Sequence, residues 1–270
     1  LAKGELRGSY ALTEPHAGSD AGNIRTQASL EGDEWVINGQ KCFITGADKA
    51  DFLTVAAKTD PSAGTRGITY FLVPTDTPGF SVGRHERKMG MRGISTCELF
   101  FENVAVPKEN QIGELNRGFR SAMLGFNQMR PAIGVRAVGL AQGVLDYALT
   151  YSKEREAFGK PISHHQAVQF MLADMFMDIE AARLLVYRAA ALVDAGKIGK
   201  ENARYFSTAK TFAADMAMKA AVDGVQILGG AGYMKDHPME RFMRDAKQIQ
   251  IVEGTSQIQR MIIARNLLDL

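Results

Sequence analysis

The pattern of apolar and polar positions divides the chain into two parts. Up to about residue 112, short runs of β-branched and aromatic residues alternate with clusters of glycine, proline, asparagine and aspartate. Such runs between turn residues predict β-strands. The predicted strands are residues 8–12, 25–30, 35–38, 40–45, 52–58, 68–73, 80–84 and 97–102, with a turn at Asn38-Gly39. Because no helical pattern interrupts them, they predict an antiparallel β-sandwich or barrel.

After residue 117 the apolar positions recur with a period of 3.6 residues. Phe119, Met123 and Leu145 lie on one predicted helical face, and Pro131 should kink this helix without ending it. The further predicted helices are residues 166–193, about 202–228, 237–247 and about 255–268. They predict an antiparallel helical bundle. The fold class is therefore α+β as separate domains, with a β-domain at residues 1–113 and a helical bundle at residues 114–270.

Composition excludes several functional classes. The chain has 270 residues, and 32 Lys and Arg against 30 Asp and Glu give a net charge of +2, too balanced to indicate nucleic-acid binding. Cys42 and Cys97 lack metal-ligand spacing, so no metal is predicted, and they indicate a reducing compartment. No apolar run reaches membrane-spanning length in the sequence. The glycines at 229–232 follow a helix and lack the dinucleotide-binding spacing.

Glu253 is the main candidate for chemistry. It follows Ile249, Ile251 and Val252, and apolar neighbours raise the proton affinity of a carboxylate towards that of a general base. Gly254 leaves room for a ligand beside the backbone. Position alone also fits an acid that merely favours a helix N-terminus through the helix dipole.

Two further stretches suit a bound cofactor. Residues 13–20 offer hydroxyl groups and unobstructed amides that could bind phosphate or the edge of a flavin, although a plain loop has the same composition. Phe43 and Thr45 are two positions apart, which places an aromatic ring and a hydroxyl on one strand face. A core phenylalanine beside a β-forming threonine is the alternative interpretation.

Several motifs in order resemble those of one enzyme family. They are Ala-Leu-Thr-Glu-Pro at 11–15, Lys-Cys-Phe-Ile-Thr at 41–45, Lys-Met-Gly-Met-Arg-Gly at 88–93, Arg-Glu-Ala-Phe-Gly at 155–159, Gln-Ile-Leu-Gly-Gly at 226–230 and Val-Glu-Gly-Thr-Ser-Gln at 252–257. Together they resemble the acyl-CoA dehydrogenases over the whole chain. The segment at 86–96 looks closest to short-chain, butyryl-type members. The resemblance implies the middle and C-terminal domains of that fold, without the N-terminal helical domain that family members carry.

The resemblance also implies which residues bind the cofactor and the substrate. Glu253 would be the catalytic base, because Asn127, Gln128 and Met129 provide no acid at the alternative position used by a subset of the family. The residues implied to bind FAD are Tyr10, Leu12, Thr13, Gly18, Ser19, Phe43, Ile44, Thr45, Arg155, Phe158, His165, Gln166, Gln226, Gly229, Gly230, Thr255 and Gln257. Those implied to bind the substrate are Ser19, Asn127, Arg130, Glu253 and Gly254. Asn127 stands where the family usually has aspartate.

The implied activity is FAD-dependent α,β-dehydrogenation of a short- or medium-chain acyl-CoA to the trans-2-enoyl-CoA, as in fatty acid β-oxidation. Glu253 would remove the α-proton, the β-hydrogen would leave as hydride to the flavin, and electron-transfer flavoprotein would accept the electrons. The resemblance further implies a homotetramer without membrane insertion, in the bacterial cytoplasm or the mitochondrial matrix. An acyl-CoA oxidase, another flavoprotein of this fold and a catalytically incomplete fragment stay open as alternatives.

Overall fold

The computed structural model describes all residues from Leu1 to Leu270, which form two compact units. We call residues 1–88 and 92–123 the β unit, and residues 89–91 and 124–270 the helical unit. The predicted fold class, a sheet domain followed by a helical domain, is confirmed.

The β unit is built on one eight-stranded sheet with the order β6-β7-β3-β2-β4-β5-β8, in which β1 pairs with β4. The strands are β1 (Gly8–Ala11), β2 (Gln27–Glu31), β3 (Glu34–Thr45), β4 (Phe52–Lys58), β5 (Ile68–Pro74), β6 (Phe80–His85), β7 (Thr96–Pro107) and β8 (Gln111–Ile112). Most pairs are antiparallel, as predicted. However, β1 runs parallel to β4, and β2 adds one parallel bridge to β4, so the sheet is mixed.

Strand β3 is continuous, whereas the sequence predicted two strands joined by a turn. The prediction of a turn at Asn38 and Gly39 is therefore wrong. Both halves pair with the long strand β7, and the irregularity is a shift of register between Ile37 and Gly39. Gly39 has φ 152°, and a Cβ there would lie 2.7 Å from the Cα of Thr26. The glycine is therefore required by the close approach of a neighbouring segment rather than by a turn.

A second shift of register in β3, between Lys41 and Ile44, sets the direction of the following side chains. Lys41 and Cys42 are both buried, so the strict alternation of a strand is broken, and Phe43 follows with φ 57°. Phe43 is 62% exposed, while Ile44 is buried. This bulge turns the aromatic ring of Phe43 away from the core of the β unit.

The helical unit contains α1 (Gly118–Glu154, of which the first turns belong to the β unit), α2 (Gln166–Asp194), α3 (Ala203–Leu228), α4 (Gly230–Tyr233), α5 (Met239–Ile249) and α6 (Ser256–Leu267). A small hairpin of β9 (Glu156–Ala157) and β10 (Lys160–Pro161) follows α1. Helix α1 continues through Pro131, as the pattern predicted. The alanine-rich face of α3 lies in the core, where small side chains allow close helix packing.

Helix α1 is long and apolar enough to cross a membrane by length and composition. The sequence pattern had not predicted such a run. Core helices of soluble proteins meet the same criterion, and Ala137, Ala141, Val144 and Ala148 of α1 are completely buried in the bundle.

Candidate active site

The turn between α5 and α6 carries Glu253 in an unusual backbone conformation. Glu253 has φ 55° and Gly254 has φ 88°, so two successive residues lie in the left-handed region. A residue with a side chain adopts this region at a cost of about 1–3 kcal/mol, which surrounding contacts must offset. The position of the carboxylate thus depends on the groups that hold this turn.

Three hydrogen-bond donors hold the turn. Gln259 Nε2 donates to the carbonyl oxygens of Glu253 and Gly254, at 2.9 and 3.1 Å. Lys210 Nζ donates to the same Gly254 carbonyl at 2.8 Å. The amide of Ser256 donates to Gln250 O at 2.9 Å and closes the turn. A Cβ on residue 254 would lie 2.6 Å from Gln259 Nε2, so glycine is needed both for its conformation and for the space.

The start of α6 is capped by Thr255. The hydroxyl oxygen of Thr255 accepts a hydrogen bond from the amide of Ile258 at 3.2 Å. Ser256 is buried, and its hydroxyl donates to Asp215 Oδ1 at 2.9 Å. Gln257 is exposed. Thr255 and Gln257 also line a cavity of about 400 Å³, together with Asp215, Lys247, Gln250, Ile251, Ser256 and Arg260.

The pKa of Glu253 is raised above its usual value, as a general base requires. Desolvation by the surrounding protein is the cause, and the charges of Lys210, Arg130 and Arg136 oppose it without overcoming it. By accessible surface, however, Glu253 counts as exposed. Desolvation therefore dominates the shift, while the side chain stays accessible to a ligand from solvent.

Arg130 and Asn127 form a buried pair on α1. Asn127 Oδ1 accepts a hydrogen bond from Arg130 Nη1 at 2.6 Å, and Asn127 Nδ2 donates to Ile198 O at 2.9 Å. Arg130 is 5% exposed, and burial lowers the pKa of its guanidinium to about 10. The Nε atoms of Arg130 and of Arg136 have no partner within the protein. These two donors are free to meet a polar group that enters beside Glu253.

Four of the residues assigned to FAD lie between the end of α1 and the start of α2, within or near the hairpin of β9 and β10. Phe158 is 96% exposed with φ 56°, and its ring contacts the ring of His165 edge-on with centroids 5.8 Å apart. His165 Nε2 lies 3.1 Å from the carbonyl oxygen of Ala157. Arg155 and Gln166 are exposed. The ring of Phe158 is therefore available for contact with a ligand or a partner.

Gln226, Gly229 and Gly230 lie at the C-terminal end of α3. Gly229 has φ 61° and ψ −135°, which ends the helix as the sequence predicted. A Cβ added to either glycine would meet nothing within 4 Å, and Gln226 is exposed. The space beside these glycines is open for a ligand.

In the β unit, an ion pair fastens the predicted flavin loop to β3. Glu14 is buried and accepts hydrogen bonds from the amides of Arg25 and Thr26, from Thr26 Oγ1 and from Lys41 Nζ, the last at 2.8 Å. His16 Nε2 also lies 3.3 Å from its carboxylate. Lys41 is completely buried and donates to Leu12 O as well. Sequence reasoning missed this pair, although a lysine within a buried strand was its visible signal.

Desolvation raises the pKa of Glu14, but the charge of Lys41 and the hydrogen bonds lower it by more, so the pKa lies below its usual value. Burial lowers the pKa of Lys41 to about 8. The lowered pKa of Glu14 indicates that its charged form is favoured, whereas the lowered pKa of Lys41 indicates that its charged form is disfavoured. We take both groups as charged at pH 7, because every acceptor and donor of the pair is well placed.

The predicted flavin residues of the β unit divide into buried supports and exposed contacts. Leu12 and Ile44 are buried, and the carbonyl of Thr13 accepts a hydrogen bond from the amide of Cys42 at 2.9 Å. The exposed residues are Gly18, Ser19, Phe43, Thr45 and Tyr10, whose hydroxyl is hydrogen-bonded to Tyr70. An exposed aromatic ring, hydroxyl groups and an unobstructed glycine fit the ring and the edge of a flavin.

Comparisons with known proteins agree with both units. The family described as acyl-CoA dehydrogenase, middle domain, matches residues 9–104. The family described as acyl-CoA dehydrogenase, C-terminal domain, matches residues 116–268. The second match alone spans more than half of the chain.

Three similar proteins illustrate the relationship. A probable acyl-CoA dehydrogenase, FadE25 of Mycobacterium tuberculosis, is 52% identical over 261 residues, which are 96% of this chain and 66% of that protein. Cyclohexane-1-carbonyl-CoA dehydrogenase of Geobacter metallireducens is 49% identical over 96% of this chain and 67% of its own. The structure of butyryl-CoA dehydrogenase from Megasphaera elsdenii superimposes with a TM-score of 0.94 at 44% identity, over 97% of this chain and 68% of that one. The chain thus spans about two thirds of its relatives' length, and it belongs to the acyl-CoA dehydrogenase family.

Proposed function

We propose that this chain carries the FAD-binding and proton-abstracting parts of an acyl-CoA dehydrogenase. The proposed reaction converts a short- or medium-chain acyl-CoA thioester into its trans-2-enoyl-CoA, and electron-transfer flavoprotein takes up the electrons. The observation that carries this proposal is Glu253, a carboxylate with a raised pKa in a turn held by Lys210 and Gln259.

FAD would be held by the exposed residues of the β unit, with the ring of Phe43 and the hydroxyl of Thr45 on one side of the strand. In the helical unit, Arg155, Phe158, Gln226, Gly229 and Gly230 are available to it. The chemistry that FAD would supply when bound is that of a hydride acceptor. The Glu14–Lys41 pair would contribute by fixing the loop at residues 12–17 against β3, which pre-organises the contacts.

Glu253 would take the proton from the carbon next to the thioester carbonyl. Desolvation raises its pKa towards the range in which it can hold that proton, while three cations keep it ionised beforehand. The amide of Glu253 is suited to the thioester oxygen. The space beside Gly254, which the sequence predicted to be open for a ligand, is filled by the Gln259 amide instead. Arg130 Nε is a buried donor without a protein partner, so it is suited to a polar part of the substrate.

The deciding experiment is an anaerobic titration of the FAD-loaded chain with butyryl-CoA, following the absorbance of the oxidised flavin. We expect bleaching in the wild type and a fall in its rate of at least about a hundred-fold in Glu253→Gln, because loss of a positioned base costs about 10²–10⁴-fold. The matched control is Glu201→Gln, which alters an exposed acid of the same unit. Equal bleaching in Glu253→Gln and the wild type contradicts the assignment of the base.

The same sample separates the alternative functions. Fast reoxidation of the reduced flavin by oxygen favours an acyl-CoA oxidase, whereas slow reoxidation with fast transfer to an artificial acceptor favours a dehydrogenase. If the chain binds FAD but none of the tested thioesters bleaches the flavin absorbance, the result favours a catalytically incomplete fragment. Retention of FAD itself is measured from the flavin-to-protein absorbance ratio after gel filtration.

The acyl group is proposed to be short or medium in length. Two relatives are named for butyryl-CoA and for a cyclohexane carboxyl thioester, so a straight and a cyclic acyl group are the informative comparison. Butyryl-CoA, octanoyl-CoA and cyclohexane-1-carbonyl-CoA are compared by the rate of bleaching at saturation. Faster reduction by the cyclic thioester than by butyryl-CoA contradicts the proposed preference.

We further propose that the chain assembles as a homotetramer. The support is an exposed apolar stripe on α2, where Phe170, Met177 and Leu184 follow one another at intervals of seven residues. Sedimentation equilibrium gives the mass directly. A Met177→Lys/Leu184→Lys double variant should lower the association state, because charges within an apolar contact are costly. A wild-type mass of 29.5 kDa at micromolar concentration contradicts the proposal.

A further inference from the structure

Two completely buried polar side chains of the helical unit contact the turn that carries Glu253. Lys210 of α3 and Gln259 of α6 are both 0% exposed. Their donors converge on the Gly254 carbonyl, and Gln259 also binds the Glu253 carbonyl. The sequence pattern did not single out either residue.

Lys210 is expensive to bury. A buried ammonium group costs several kcal/mol unless charges and hydrogen bonds compensate for it. Lys210 Nζ donates a hydrogen bond to one carbonyl oxygen, that of Gly254. The negative charges that compensate its ammonium group are those of Asp215 and Glu253. An apolar side chain would fill this place in the core without the cost of desolvation, which suggests a role for the charge beyond stability.

Gln259 and Gly254 fit one another in detail. The amide nitrogen of Gln259 occupies the space that a side chain on residue 254 would fill, at 2.6 Å from an ideal Cβ. From there it reaches two carbonyls of successive left-handed residues. The amide therefore stabilises the strained backbone of both residues.

We propose that Lys210 and Gln259 are positioning residues for the base Glu253: Gln259 fixes the left-handed turn, and Lys210 anchors the turn at the Gly254 carbonyl and holds a positive charge near the carboxylate. This inference rests on the proposed function for the role of Glu253 as base. The two residues act through Glu253 and contact neither substrate nor cofactor in this assignment.

The charged groups around Glu253 define the expected sign. Arg130 and Arg136 of α1 and Lys210 of α3 lower its pKa, and Lys210 is the largest of these three contributions. Asp215 of α3 interacts with Lys210, and Asp245 of α5 interacts with Arg136. Gln259 is the uncharged contribution of α6. Removing the Lys210 charge leaves the carboxylate with two cations and the same desolvation, so its pKa should rise.

The experiment measures the titration of Glu253 without any turnover. The full chain, loaded with FAD and labelled with ¹³C at the glutamate carboxyl carbon, is titrated by NMR below pH 8, and Glu253→Gln assigns the signal. The variants are Lys210→Met, which keeps the volume, and Gln259→Met, which removes the donor without changing charge. Lys219→Met is the matched control, because Lys219 lies on the same helix and is exposed, paired with Asp178.

Lys210→Met should raise the midpoint of Glu253 by about one pH unit, as expected for loss of a nearby opposite charge. Gln259→Met should leave the midpoint within about 0.3 unit and lower the rate of flavin reduction by at least about tenfold, because misplacing a catalytic group is costly. Lys210→Arg, which restores charge and donor, should return the midpoint towards the wild-type value.

A Lys210→Met midpoint equal to that of Lys219→Met overturns the role of the charge. A Gln259→Met reduction rate within twofold of the wild type overturns the role of the amide. Failure of the proposed function looks different: no acyl-CoA reduces the wild-type flavin, while the NMR titration still reports whether Lys210 acts on Glu253. If Lys210→Met does not fold, Lys210→Gln provides the second variant, because its amide can still donate to the Gly254 carbonyl while the charge is gone, and it should raise the midpoint in the same way.

Discussion

At the scale of single residues, the buried pair of Glu14 and Lys41 shows how a costly group is retained. Both side chains are almost completely removed from water, and each pairs with the other at 2.8 Å. Glu14 also receives donors from Arg25 and Thr26, so its charge is well compensated. The compensated pair thus fixes the loop after β1 against β3, next to the ring of Phe43.

Replacing one member of this pair should destabilise the β unit strongly. Lys41→Met leaves Glu14 buried without its cation, and such a loss costs about 3–5 kcal/mol. Lys41→Met/Glu14→Gln should recover about half of that loss, because the uncompensated charge is gone. Urea unfolding followed by fluorescence of Trp35, the single tryptophan and part of the β core, measures this.

Lys49→Met, which changes an exposed lysine, is the control for that comparison. A double variant no more stable than Lys41→Met alone would show that the uncompensated charge of Glu14 is not the cause of the destabilisation.

At the scale of elements, glycines in α1 distinguish packed from open helix faces. Gly134 is buried, and a Cβ there would lie 2.7 Å from Val186 Cγ2 of α2. Val186 is itself buried, and a β-branched side chain has few rotamers with which to move away. Gly139, five residues further along the same helix, meets nothing within 4 Å. The same substitution should therefore have opposite effects at the two positions.

Gly134→Ala should lower the free energy of unfolding by about 1–3 kcal/mol through overpacking between α1 and α2. Gly139→Ala should raise it by about 0.5–1 kcal/mol, because alanine loses less backbone entropy than glycine in a helix. Urea unfolding followed by far-UV circular dichroism tests both. A stabilising Gly134→Ala would mean that Val186 repacks freely.

At the scale of the whole molecule, the two units have separate cores and separate carboxylates that respond to acid. Glu14 of the β unit has a lowered pKa. In the helical unit, desolvation raises the pKa of Asp215, but hydrogen bonds from Arg260, Gln250 and Ser256 lower it by more. A carboxyl group whose pKa is lower when folded stabilises the protein above its unfolded pKa, and this stability is lost as the pH falls through the folded pKa. Acid should therefore weaken each unit through its own group.

Between pH 6 and pH 3, the urea midpoint of the Trp35 signal should fall in the wild type and fall less steeply in Glu14→Gln. The variant is less stable at neutral pH, because Lys41 loses its partner, but it lacks the group that acid protonates. Asp76→Asn, at an exposed position before β6, should keep the wild-type slope. An unchanged slope in Glu14→Gln would show that other groups dominate acid unfolding.

Most of the fold could be predicted from the sequence, because its signals are local. Most strands of the β unit and the helices α2, α3 and α6 were predicted to within about two residues, because their signals are side-chain patterns along a few turns. The exceptions are β7, which continues five residues beyond the predicted end, the undivided β3, and the short β8, which was not predicted. The domain boundary after residue 113 and the individual roles of the site residues stay predictions. Glu253 and the capping Thr255 stood out because apolar neighbours, a glycine and a hydroxyl lie next to one another in the chain.

Contacts between distant residues decided the rest. The parallel pairing of β1 with β4, the continuous path of β3 through Gly39 and the bulge at Phe43 depend on which segment lies beside them. Lys41 reaches Glu14 across 27 positions, and Lys210 reaches Gly254 across 44. The sequence by itself determined the elements, the family and the candidate base, since these follow from local pattern and motif. Only the tertiary structure decided what holds the base in place, because burial and hydrogen bonding of a charge depend on atoms that the chain brings together by folding.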